Sequence, residues 1–124
     1  MAGTIVANQI NTDTGLFSTN NAYLGIAKAW VSFVGSSASI NKSFNVSSVT
    51  RNSTGNYTIN FATAMTDVNY AGSISASNYI AQDMCVIGEI YGGTRTTSAY
   101  QIGLQTYNSS AWTDSPFVSV VIFD

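Results

Sequence analysis

Apolar and polar residues alternate along this chain with a period of two, and no stretch holds the 3.6-residue period of a helix. In Asn56-Tyr57-Thr58-Ile59-Asn60-Phe61-Ala62-Thr63, Tyr57, Ile59 and Phe61 face one side while Thr58 and Asn60 face the other. Ser43-Phe44-Asn45-Val46-Ser47-Ser48-Val49 repeats the pattern with Phe44 and Val46. The segment between them, Arg51-Asn52-Ser53-Thr54-Gly55, reads as a turn-rich connector, so the pair is expected to form a hairpin. Further strands are expected over 27–34, 70–77, 84–91, 97–107 and 117–123. Gly35-Ser36-Ser37, Ala64-Met65-Thr66-Asp67, Gly92-Gly93, Asn108-Ser109-Ser110 and Asp114-Ser115-Pro116 punctuate them. Many short strands with polar connectors predict an all-β fold, an antiparallel β-sandwich or jelly-roll-like domain.

The first two dozen residues differ. Ile5, Val6, Ile10, Leu16 and Phe17 stand isolated among Asn, Thr and Gly, too sparse for a core of their own. This predicts a short extended, stalk-like arm over 1–23 and a sandwich domain over 24–124. The last residues, Ser119-Val120-Val121-Ile122-Phe123-Asp124, predict a terminal strand packed into the fold. The sparse arm, that apolar strand and the low charge together suggest an oligomer, since association is one way to cover strand edges.

Composition narrows the chemistry. The 124 residues include four Lys or Arg, six Asp or Glu and no His. Without a basic stripe, phosphate-driven nucleic-acid binding lacks its energy source. The longest apolar runs fall far short of the ~20 residues a spanning helix needs, so no membrane insertion is expected. No basic region leads into an apolar stretch at the start, so no secretory leader is read and synthesis in a cytosol is expected. Cys85 is alone, which precludes an intrachain disulfide and suggests a buried structural thiol.

Absent His removes the usual general base and the commonest metal ligand. Paired-carboxylate hydrolysis needs only Asp and Glu, but Asp83 and Glu89 flank one expected strand, which would hold them about 20 Å apart. No catalytic residues, no metal site and no cofactor are therefore expected.

One stretch carries a resemblance. Gly25-Ile26-Ala27-Lys28-Ala29-Trp30-Val31-Ser32-Phe33 resembles a recurring element of bacteriophage and prophage tail-fibre proteins. The likeness continues through Ser43-Phe44-Asn45-Val46-Ser47-Ser48-Val49-Thr50, Gly55-Asn56-Tyr57-Thr58-Ile59-Asn60-Phe61 and Thr63-Ala64-Met65-Thr66-Asp67-Val68-Asn69-Tyr70. It covers about residues 25 to 76. The resemblance implies the distal, receptor-binding part of a fibre: a homotrimer in the virion, made in the host cytoplasm and joined to other tail proteins at its N-terminal side. Its ligand would be a host-surface glycan, such as lipopolysaccharide or another envelope polysaccharide. A structural virion protein without receptor contact (capsid decoration or fibre-shaft adaptor) and a polysaccharide depolymerase stay as alternatives.

No binding residue transfers through the resemblance, so candidates come from side-chain chemistry. Trp30, Phe33, Phe44, Val46, Tyr57, Ile59, Phe61 and Tyr70 sit at strand periodicity and are expected to fill the core, with Trp30 and Tyr70 in the core or at a subunit interface. Sugar rings stack on aromatic faces and are oriented by a few polar groups. Three connectors offer both, giving Tyr79, Tyr91, Arg95, Asn108, Trp112 and Asp114 as candidate ligand contacts. Trp112 leads because it stands in a polar connector, although it could instead fold back on the core or a neighbouring subunit.

Overall fold

The computed structural model describes Gly3 and residues 9–12, 15–18, 25–77 and 85–124, and it is all-β. Among the described residues ten strands follow in order: β1 (Gln9–Thr12), β2 (Gly15–Ser18), β3 (Ala29–Val34), β4 (Ser39–Phe44), β5 (Val46–Ser53), β6 (Asn56–Phe61), β7 (Ala71–Ala76), β8 (Cys85–Glu89), β9 (Ala99–Thr106) and β10 (Val118–Phe123). β1 and β2 pair antiparallel by themselves. The other eight form two antiparallel sheets, ordered β4-β3-β10-β7 and β5-β6-β9-β8.

The two inner strands of each sheet carry the core, because only they are paired on both sides and covered on one face. Ala29, Val31 and Phe33 of β3 and Val118, Val120 and Ile122 of β10 meet Tyr57, Ile59 and Phe61 of β6 and Tyr100, Ile102 and Leu104 of β9. Burying each large side chain stabilises the fold by about 1.5–3 kcal/mol relative to exposure. Aromatic edges lock the sheets together: Phe33 meets Tyr57 at 5.2 Å between ring centroids, and Tyr70 meets Phe61 at 5.8 Å and Tyr100 at 5.7 Å, all edge-on. Cys85 is half-buried and packs against this core from β8.

All five further segments with strand alternation contain a strand, and the hairpin exists as β5–β6. Its limits differ from the expectation. Ser43 and Phe44 belong to β4, and the chain breaks at Asn45, whose φ of 53° is left-handed. Asn tolerates that conformation better than most residues. Here its side chain also staples the corner, donating to the carbonyls of Lys28 (3.0 Å) and Thr63 (3.1 Å) and accepting from the Thr63 amide (2.7 Å). Arg51, Asn52 and Ser53 are strand rather than connector, leaving Thr54 and Gly55 as the turn, with Gly55 at φ 67°. They are polar because β5 is an exposed edge strand.

Phe44 corrects the expected core, and of the two places expected for Trp30 the core is ruled out. Trp30 and Phe44 are register partners on the outer face of the first sheet, 38% and 55% exposed. Alternation allows only one parity inward, and Ala29, Val31 and Phe33 take it. Tyr70, Tyr57, Ile59 and Phe61 are buried as expected, and Val46 is partly buried against them.

Strand directions assign the connections to two ends. Residue 25 enters beside the Asn45 corner, the 62–70 connection and the 90–98 connection; the Lys28 amide donates there to Ile122. The far end gathers the 35–38 turn, the Thr54–Gly55 turn and the 107–117 connection, joined by Gly35 N–H to Ser115 O and Leu104 N–H to Gly55 O.

Candidate functional site

The 107–117 connection leaves β9 at the far end and doubles back beside that strand, laying the Trp112 ring over its outer face. Thr106 N–H donates to Ala111 O (2.9 Å), Thr113 N–H donates to Leu104 O (3.2 Å), and Trp112 bridges Gln105. Asp114 fixes the return. Its carboxylate accepts from Arg51 Nη2 at 2.6 Å and Nε at 3.2 Å, from the Gly55 amide at 2.9 Å and from the Tyr57 hydroxyl at 2.5 Å. Burial alone would raise the Asp114 pKa, but hydrogen bonds from Arg51, Gly55 and Tyr57 outweigh it and hold the carboxyl below its ordinary value. Burial first, and then the bond to Asp114, push the Tyr57 phenol well above its usual range.

The clamp aims Trp112 at a gap in the second sheet. Gly103 of β9 and Gly88 of β8 are register partners, so two adjacent positions lack a side chain on the outer face. A Cβ at Gly103 would stand 2.8 Å from Trp112 Cζ3 and 2.8 Å from Ile90 Cγ1, which shows both side chains lying on that bare backbone. A Cβ at Gly88 would meet nothing within 4 Å. The result is a shallow cleft of about 350 Å³ with a glycine floor, walled by Trp112, Ile90 and Tyr91 and edged by Val86, Glu89 and Gln105. Trp112 is half-exposed and Tyr91 fully exposed, so ring surface is open to a ligand. Beyond Gly103 the same face continues into neutral amides: Asn56 Oδ1 accepts from Asn52 (2.9 Å) and Gln101 (2.8 Å), and Asn60 donates to Ser48 and Thr50.

Of the six candidates named from sequence, the cleft unites Trp112 and Tyr91. Asp114 stands behind Trp112 in the clamp. Arg95 lies at the entry end, where its guanidinium carbon sits 4.6 Å over the Tyr70 ring centroid and 5.5 Å from that of Tyr100. It pairs with Glu89 at 2.6 Å and donates to the carbonyls of Val68 (2.8 Å) and Tyr70. Burial pushes the Tyr70 phenol there up to about 12. Asn108 is exposed on the far-end loop, and Tyr79 lies outside the described residues. Gly88, Gly103, Ile90 and Gln105 escaped sequence reasoning, because only the β8–β9 register brings them under Trp112.

A second hollow at the entry end is lined by Thr66, Asp67, Asn69, Tyr70, Ala71, Phe123 and Asp124. Its carboxylates are engaged locally, Asp124 by the Thr66 amide and hydroxyl and Asp67 by the Asn69 amide. Among the described residues no group of three or more His, Cys, Asp or Glu is placed to hold a metal ion. No family model matches the chain, and no curated protein or solved structure matches it.

Proposed function

We propose that this chain is the tip module of a bacteriophage tail fibre, a non-catalytic homotrimer that binds a glycan on the host cell surface. The observation that carries the binding reading is the cleft: two open aromatic side chains over a floor of bare backbone, with planar polar groups at the rim. That combination suits a sugar ring, whose C–H face needs a flat apolar partner and whose hydroxyls need a few fixed hydrogen-bonding groups. The fibre reading rests on the tail-fibre-like motifs between Gly25 and Tyr70. The loop that carries Trp112 springs from the end opposite residue 25, as suits a tip whose N-terminal side joins the rest of a particle.

Gly88→Val tests the cleft without touching the core. The new side chain enters open space on the floor, and Val is well suited to a strand. Calorimetry with purified host envelope polysaccharide should show binding weakened several-fold at an unchanged melting temperature. Undiminished binding by the folded variant would remove the cleft from consideration.

Self-association is supported by the opposite face. Trp30, Phe44 and Phe123 expose apolar surface there, with Val121 the register partner of Trp30. Contiguous apolar patches of this kind are uncommon on monomers. A structural virion component packed through this face alone is the second reading, and it would bind no glycan. Light scattering should give close to three times the chain mass; a stable monomer at micromolar concentration would sink the trimer.

A further inference from the structure

We infer that the ligand of the cleft is a neutral glycan, and that acidic sugars and phosphorylated saccharides are rejected there. The inference rests on the glycan reading of the cleft and adds the chemical class. A carboxylate or phosphate entering a protein site must exchange its water for a cation or for several aimed N–H groups. The chain has four cationic side chains: Lys28, Lys42, Arg51 and Arg95. All four lie among the described residues, and none lines the cleft.

Each stands elsewhere for a visible reason. Lys28 precedes β3, and Lys42 is the register partner of Ser32, so both belong to the other sheet. Arg51 is consumed by Asp114 on the far side of the Trp112 loop. Arg95 is turned into the entry end, stacked over Tyr70 and bonded to two carbonyls and Glu89. The charged group on the cleft rim is Glu89, a carboxylate. Glu89 is itself ion-paired with Arg95, so an acidic sugar would lose hydration at a rim with no cation left to take it up. A neutral ring keeps what the cleft does supply: the Trp112 and Tyr91 faces, the glycine floor, and Gln105 for its hydroxyls.

A matched panel of immobilised saccharides tests this with the full chain. Glucose-, rhamnose- and N-acetylglucosamine-terminated glycans form the neutral set; glucuronate-, galacturonate- and sialate-terminated ones form the acidic set. The strongest binding should fall in the neutral set and stay within about twofold as NaCl rises from about 0.05 to about 0.5 M, because screening acts only on charge–charge attraction. Acidic counterparts should bind at least about tenfold more weakly. Glu89→Gln should narrow that gap, since it leaves the Arg95 charge uncompensated near the rim. Lys42→Glu, on the other sheet, should leave the ranking unchanged. Tightest binding to an acidic member, weakening with salt and lost in Trp112→Ala, would overturn the neutral-ligand inference while leaving the cleft a glycan site. Binding to no member, or binding indifferent to Trp112, would overturn the glycan reading itself.

Discussion

Asp114→Ala should destabilise the protein by about 3 kcal/mol and lower its melting temperature by roughly 10 °C. One carboxylate satisfies three partners from a single distant hairpin: Arg51 of β5, the Gly55 amide in the β5–β6 turn and the Tyr57 hydroxyl from the core. Removing it leaves the Tyr57 hydroxyl, at the end of a fully buried side chain, without its acceptor, and the Arg51 guanidinium without its counter-charge. The 107–117 loop should loosen first, seen as faster hydrogen exchange at the Ser110 and Thr113 amides. Acidification should mimic part of this. The folded-state pKa of Asp114 lies below its ordinary 3.8, so its contribution is complete above that value and is lost as pH falls through the lower one. Asp114→Asn should therefore flatten the acid limb of a stability-versus-pH curve. An unshifted melting temperature for Asp114→Ala would show that the loop is held by its backbone bonds alone.

That clamp also marks where sequence reasoning stops. Asp114 drew attention as a polar residue near an aromatic one, yet its partners lie 57 to 63 residues away and become neighbours only when β9 pairs beside the β5–β6 hairpin. Arg95 behaves alike, a loop cation in sequence and a cap over Tyr70 in space. Strands with one buried face were legible because alternation reports burial, as in β6 and β10. β4 was missed for the converse reason: all six of its residues are exposed, and its pairing slips between Ser32 and Phe33, so no inward parity shows. Trp30, expected in the core or at a subunit interface, stands on the outer face because β3 turns Ala29, Val31 and Phe33 inward. Trp112 was legible as a large aromatic ring in a Ser/Asn/Thr connector, a place where burial alone does not call for one. The floor beneath it was not, since two glycines fifteen positions apart become one surface only through the β8–β9 register.

Trp112→Ala should weaken glycan binding by about 1–3 kcal/mol, or roughly five- to hundredfold per subunit, the range for truncating an aromatic anchor. In a trimer engaging several sites the loss of apparent affinity multiplies further. The residue is 45% exposed, with the Cζ3 edge of its ring seated on Gly103. Its structural share is therefore smaller than that of a buried Trp, and the variant should lose only about 1–2 kcal/mol of stability. This separation makes the experiment decisive. Thermal melting and light scattering establish that Trp112→Ala is folded and assembled as the wild type, after which calorimetry on the same preparation reads the contact alone. Trp112→Phe should recover part of the affinity, because a smaller ring still offers a flat face over the same floor. Asp114→Ala should lower affinity as well, by displacing Trp112 rather than removing it, and adding it to Trp112→Ala should weaken binding no further. A folded Trp112→Ala protein that holds its polysaccharide at wild-type strength would remove Trp112 as the anchor and leave the cleft without its main source of affinity.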